Sequence, residues 1–112
     1  MVSISTHVLD TARGRPAAGL AVTLSYRRGN GAWSVVGRGV TDDNGRVADL
    51  SSGAVEAGDF RLEFATAAYF NASGTAAFYP EVSVVFTVTD AGAHHHVPLL
   101  LSPFGYSTYR GT

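Results

Sequence analysis

The clearest hydrophobic pattern in the chain is Val82-Ser83-Val84-Val85-Phe86-Thr87-Val88-Thr89. Side chains of a strand alternate between its two faces, so a period of two predicts a core row of Val82, Val84, Phe86 and Val88 and an outer row of Ser83, Thr87 and Thr89. The same parity divides His94-His95-His96-Val97-Pro98-Leu99-Leu100-Leu101. With Val97, Leu99 and Leu101 inward, His94, His96 and Pro98 face outward and Leu100 goes with them. His95 then points toward the core. An outer face that is part apolar and part ionisable suits a subunit interface better than a solvated surface.

Shorter β-branched and aromatic runs, separated by glycine and turn dipeptides, continue the pattern. Strands are predicted over 4–10, 19–28, 33–41, 47–50, 59–65, 82–89, 95–102 and 106–110. They predict an all-β fold, a two-sheet sandwich of about eight strands. Gly29-Asn30-Gly31 reads as a hairpin turn and Asp42-Asp43-Asn44-Gly45 as a tight acidic turn. The rhythm breaks at 66–74, where alanines, a Thr66 N-cap and a closing Asn and Gly predict one helix of about two turns. Tyr69-Phe70 and Phe78-Tyr79 read as core and corner packing. Gly37-Arg38-Gly39, inside a strand, is too short to cradle a phosphate.

A chain of 112 residues reads as one domain, 1–112, large enough to bury about two-thirds of its unfolded surface. Charged residues are 15% of it against a usual ~25%, which leaves little charge to cover a monomer and points to an oligomer. Eight basic residues, all Arg, oppose nine acidic ones for a net charge of −1. That balance excludes nucleic acid and anionic membranes as main partners. The absence of Cys removes disulfides and thiolate chemistry and is compatible with a reducing compartment. Neither a signal peptide nor a membrane-spanning run is read in the sequence, so a cytoplasmic protein is expected.

Unusual chemistry for strands stands at His7, at Arg46 and in the histidine triplet. For His7 a structural and a functional reading stay open, and a guanidinium such as Arg46 is by type more often solvated or ion-paired. Imidazoles two apart on a strand can share a zinc ion, but without Cys or a carboxylate motif that signal is weak. Ser102, Ser107 and Thr108 lack a Gly-x-Ser-x-Gly context and read as surface hydrogen-bonding groups. Tyr106-Ser107-Thr108-Tyr109-Arg110-Gly111-Thr112 carries no solubilising Lys or Glu and looks built to pack against something.

Thr6-His7-Val8-Leu9-Asp10, Thr41-Asp42-Asp43-Asn44-Gly45-Arg46, Phe78-Tyr79-Pro80-Glu81-Val82, His96-Val97-Pro98-Leu99-Leu100-Leu101-Ser102-Pro103 and Tyr109-Arg110-Gly111-Thr112 together resemble the 5-hydroxyisourate hydrolases, the transthyretin-related family. The resemblance implies a transthyretin-like (prealbumin-like) sandwich that assembles as a homotetramer, a dimer of dimers with sites at the dimer–dimer interface. It implies hydrolysis of 5-hydroxyisourate, a small-molecule substrate of urate degradation, to 2-oxo-4-hydroxy-4-carboxy-5-ureidoimidazoline. Catalytic roles fall on His7, Arg46 and His96, and substrate binding on His7, Arg46, Tyr109 and Thr112, with no metal or organic cofactor. The chain departs from the family in having Thr112 where Ser is usual and His95 where Tyr is common. On this reading His96 activates water, Arg46 stabilises the oxyanion, and Tyr109 and Thr112 hydrogen-bond the ring edge. The alternative on the same fold is a transthyretin-like carrier of a small apolar ligand in the tetramer channel. It has no need for these three residues together with the closing tetrapeptide.

Overall fold

Alternation along the chain resolves into two sheets packed face to face. The computed structural model describes residues 3–51 and 56–112; Met1 and Val2, with which the reading of no signal peptide begins, lie outside the described residues. The elements are β1 (Ser3–Asp10), β2 (Arg15–Pro16), β3 (Ala21–Arg27), β4 (Trp33–Val40), β5 (Arg46–Val47), β6 (Gly58–Phe64), α1 (Thr66–Asn71), β7 (Val82–Val88), β8 (His94–Ser102) and β9 (Gly105–Thr108). One sheet runs β2-β1-β8-β9, with β5 also paired to β1; the other runs β4-β3-β6-β7. Strands β1 and β8 are parallel, whereas the other paired strands are antiparallel. Two short strands share one edge of β1. β5 lies opposite Thr6 and His7, and β2 opposite Leu9 and Asp10.

Period two decides what lies between the sheets. Ile4 and Val8 of β1, with Val97, Leu99 and Leu101 of β8, meet Val22, Leu24, Phe60, Leu62 and Phe64 from the opposite sheet. Polar residues on the inward row of β1 are satisfied internally, as burial requires. The Thr6 hydroxyl donates to the Val97 carbonyl at 2.6 Å, and the buried Asp10 carboxylate accepts from the Tyr69 hydroxyl at 2.8 Å and the Arg13 amide at 3.0 Å. Among the described residues no helix is long and apolar enough to cross a membrane.

Several boundaries differ from the sequence expectation. Helix α1 ends at Asn71, and its N-cap is Ala65, with no side-chain cap. Thr66 is already inside the first turn and buried, so its side chain serves packing rather than capping. Strand β5 covers Arg46–Val47 instead of 47–50. Beyond it the Asp49 carboxylate accepts the Ile4 amide at 3.4 Å in place of a backbone carbonyl, and the Leu50 amide donates to the Ile4 carbonyl at 2.8 Å, so the regular ladder gives way to an isolated backbone bond. The two-residue β2 is too short to leave a periodic signal. Val82 and Val88 are buried as expected, but Val84 and Phe86 between them are only half-buried because β7 is an edge strand. Phe78 is 69% exposed and stacks edge-on against Tyr79, outside the core.

Candidate active site

The outward face of the β1–β8 pair gathers the unusual side chains into two adjacent rows. In one, β5 places Arg46 opposite His7, and β8 places Pro98 on the other side of His7. In the next, Ser5 faces His96, and His96 faces Gly111 beyond the end of β9. Rows of like parity along a strand are about 7 Å apart, so Arg46, His7 and His96 come within reach of one small molecule. A cleft of about 340 Å³ opens here, lined among others by Ser5, Asp42, Arg46, His94, His96 and Thr112.

Arg46 is held by the acidic turn before it. The Asp42 carboxylate accepts the Asn44 amide at 2.9 Å and the Arg46 amide at 3.0 Å, and the Gly45 amide donates to the Asp42 carbonyl at 2.9 Å. Asp closes such turns because its short side chain reaches amides two and more residues ahead. Gly45 has φ 76°, and a Cβ there would lie 2.4 Å from the Val8 carbonyl oxygen. Only glycine fits both the left-handed backbone and this approach. The Val8 amide in turn donates to the Gly45 carbonyl at 2.8 Å, fixing the turn to β1. The ion pairs among the described residues are Arg13–Asp10, Arg27–Asp59 and Arg61–Glu63, so no carboxylate among them neutralises Arg46.

Burial, and then the charge of Arg46 and repulsion from the neighbouring imidazoles of His7 and His94 when they are protonated, push the His96 imidazole below its ordinary pKa. Each cause disfavours the cation, leaving His96 neutral at neutral pH. Its Nδ1 lies 2.7 Å from the Ser5 hydroxyl, so Nε2 is the nitrogen left for the cleft. The other side of the ring rests on Gly111, where a Cβ would come 2.6 Å from His96 Cδ2. The Gly111 amide donates to the His96 carbonyl at 2.8 Å, which binds the closing tetrapeptide to the strand that carries the imidazole.

His94 continues the row outward. Its Nε2 is 2.8 Å and its Nδ1 2.5 Å from the hydroxyls of Ser5 and Ser3, respectively. Burial works against the nearby Asp49 carboxylate, but hydrogen bonds from Ser51 and Ile4, and His94 when it is protonated, hold its pKa below the usual value. Ser5 fills the position between the two imidazoles that a shared metal ion would need. Among the described residues no group of three or more His, Cys, Asp or Glu is arranged to hold a metal. His95 is buried on the inward side and its Nδ1–H donates to the Ala93 carbonyl at 3.0 Å.

The expected site residues do not all share one cleft. Arg46, His96 and Thr112 line the same space, whereas His7 stands beside it as the strand partner of Arg46. Tyr109 is exposed and lines a neighbouring cleft of about 230 Å³ with Val84, Phe86 and Arg110, and His96 borders this cleft as well as the first. A larger cleft, about 660 Å³, lies by Arg13, Arg15 and Tyr69, and no histidine lines it. The Ser102 and Thr108 hydroxyls donate to backbone carbonyls of Gly105 and Pro98. Sequence reasoning missed Ser5 and Gly111 as neighbours of His96. Ser5 shares the parity of His7, but its partner is 91 residues away, and Gly111 carries no side chain to mark it.

Comparison with known proteins places the chain. A model of the HIUase/Transthyretin family matches residues 4–111. A probable 5-hydroxyisourate hydrolase of Caenorhabditis elegans is 48% identical over 111 residues, covering 98% of this chain and 82% of the relative. The 5-hydroxyisourate hydrolase of Ralstonia nicotianae is 45% identical over 118 residues, with both chains fully covered. Among solved structures, Klebsiella pneumoniae 5-hydroxyisourate hydrolase superposes with a TM-score of 0.86 at 36% identity, over 98% of this chain and 99% of that one. Sea bream transthyretin in complex with thyroxine gives 0.91 at 33% identity, over 97% and 94%. Backbone shape alone therefore does not separate enzyme from carrier. Family membership does not depend on that distinction: this chain belongs to the HIUase/Transthyretin family.

Proposed function

We propose that the protein is a single-domain cytoplasmic enzyme that hydrolyses 5-hydroxyisourate to 2-oxo-4-hydroxy-4-carboxy-5-ureidoimidazoline. The observation that carries this reading is a neutral imidazole, His96, with one ring nitrogen left for a cleft shared with the unneutralised guanidinium of Arg46. His96 Nε2 takes a proton from water as the water attacks a ring carbonyl. Arg46 presents two N–H groups to the carbonyl oxygens and stabilises the developing oxyanion. His7, beside Arg46, orients substrate or water, and Thr112 offers a hydroxyl at the cleft wall. Tyr109 lines the neighbouring cleft, which meets the first at His96, and a second subunit seated on this face would close both around the substrate.

That last point ties activity to assembly. The reading is a homotetramer with sites at the dimer–dimer interface, so the open cleft of one protomer is half of a site. Supporting it are the half-buried Leu9 and Leu100, which put apolar surface on the histidine-bearing face. A carrier of an apolar ligand would have no use for a lone guanidinium and an imidazole held neutral.

The decisive experiment adds the protein to freshly generated 5-hydroxyisourate and follows the loss of its absorbance. A rate far above the spontaneous one is expected. Decay at the spontaneous rate would end the enzyme reading and leave the carrier. Sedimentation should give a tetramer, and Leu100→Glu should split it by burying an unpaired carboxylate and take activity with it. A fully active monomer would refute the shared site.

A further inference from the structure

The reading of His96 as the base leaves His94 and the serines around it without a task. We propose that Ser5 and His94 form a proton relay behind His96, carrying charge from the cleft to the exposed end of β8 so that His96 serves as base and then as acid. The inference rests on the proposed hydrolysis and extends it to two residues.

The geometry supplies a continuous chain of hydrogen-bonding groups. Ser5 Oγ lies 2.7 Å from His96 Nδ1 and 2.8 Å from His94 Nε2, and His94 Nδ1 is 2.5 Å from Ser3 Oγ. A hydroxyl has one proton, so Ser5 donates to one imidazole and accepts from the other. For His96 Nε2 to accept from water, His96 Nδ1–H must donate to Ser5, and Ser5 must donate to His94 Nε2. His94 then keeps its own proton on Nδ1, toward Ser3. One requirement on His96 thus sets the tautomer of both histidines.

Proton balance follows from this order. As water attacks, its proton passes to His96 Nε2, the Nδ1 proton moves to Ser5, and the Ser5 proton moves to His94 Nε2. The exposed His94 then releases its Nδ1 proton to solvent. When the tetrahedral carbon expels the ring nitrogen, His96 Nε2–H protonates that nitrogen. Its Nδ1 is refilled from Ser5, Ser5 from His94 Nε2, and His94 Nδ1 from solvent. One proton leaves and one enters, and the chain returns to its starting state.

Electrostatics explain why a relay helps here. A cation at His96 would stand against Arg46 and His7, whereas a cation at His94 stands near Asp49, which lies outside the cleft lining, and Asp42 is the carboxylate on the cleft itself. Moving the charge outward avoids an imidazolium in the place least able to hold it.

The test uses His94→Gln, which keeps hydrogen-bonding atoms near Ser5 but cannot carry a proton, together with Ser5→Ala and Ser5→Thr. We expect kcat to fall about tenfold or more in His94→Gln with KM nearly unchanged, and added imidazole to restore turnover. Ser5→Ala should fall as far without rescue, because its gap is inside the chain, and Ser5→Thr should recover most of the rate. A merely structural role for His94 predicts no rescue by imidazole, and that result, or normal turnover in His94→Gln, overturns the relay. Nitrogen NMR of the histidines reads the relay without substrate. The proton of His96 should sit on Nδ1 in the native protein and move to Nε2 in Ser5→Ala. A native His96 protonated on Nε2 overturns the relay even if the hydrolase reading stands. Failure of the native protein to hydrolyse 5-hydroxyisourate overturns that reading instead.

Discussion

The two faces of the β1–β8 pair are built on one ladder and do opposite work. The strands pair in parallel from Ser3–His94 to Asp10–Leu101. Inward, Ile4, Val8, Leu99 and Leu101 are buried without exception, and the polar Thr6 and Asp10 find partners within the protein. Outward, Ser3, Ser5, His94 and His96 bond to one another while Leu9 and Leu100 keep part of their apolar surface uncovered. Only parity separates the sets, so a slip of one residue would exchange them. The lesson concerns rigidity. Packing on the inner side locks the backbone that spaces the imidazoles on the outer side, and a site held this way needs little reorganisation at the moment of reaction.

A matched pair of substitutions on β8 separates the work of the two faces. His96→Ala should lower kcat by about 10²–10⁴, the usual effect of losing a general base, while melting close to the native temperature. Leu99→Ala should do the reverse, costing about 2–5 kcal/mol of stability through lost burial and a residual cavity while the molecules that remain folded keep their turnover. If His96→Ala unfolds the protein, or Leu99→Ala spares stability, the division of labour between the faces is wrong. Next in size is Arg46→Lys, which keeps the charge and loses the planar fork. We expect at least about a tenfold loss in kcat/KM, and near-native kinetics would reduce Arg46 to a surface charge.

How much of this was legible in the sequence follows from the range of each interaction. Parity along β8 is local, and it separated Val97, Leu99 and Leu101 from His94 and His96 and turned His95 inward, as observed. The acidic turn at Asp42–Gly45 was legible for the same reason, since its hydrogen bonds span at most four residues. What escaped depends on partners distant in sequence. The end of β5 is set by Asp49 reaching Ile4, the exposure of β7 by its place at a sheet edge, and the environment of His96 by Ser5 and Gly111. Hydrophobic pattern fixes which way a side chain points, but not which strand stands beside it.

Gly111 borders the outer face against the ring of His96. With a Cβ 2.6 Å from His96 Cδ2, Gly111→Ala must displace either the imidazole or the tetrapeptide. A shift of a fraction of an ångström at the base should cost about tenfold in kcat, with little loss of stability because no core residue is touched. Unchanged kcat would show that the tetrapeptide, not His96, gives way. Crystallography of the variant would show which group had moved.

The smallest effect expected is on stability as a function of pH, where the two faces should differ in sign-defined fashion. His96 has a pKa in the folded protein below that of an unfolded imidazole, about 6.5, because burial and then Arg46, His7 and His94 oppose its charge. The unfolded chain therefore binds the proton more tightly, and acidification favours unfolding. The stability that neutral His96 contributes is complete above about 6.5 and is lost as pH falls through its lower folded value. Urea titrations from about pH 7 to pH 5 stay above the titration range of Asp49, whose pKa is lowered. Over this window the native protein should lose more stability than His96→Ala, while Leu99→Ala, on the inward face, should lose as much as the native protein from its lower start. The acid limb of kcat/KM should likewise lie below the ordinary imidazole value, because the free enzyme stays active until His96 is protonated. Identical pH slopes in the native protein and His96→Ala would mean that His96 titrates as it does in the unfolded chain, and that the outward face does not hold it neutral.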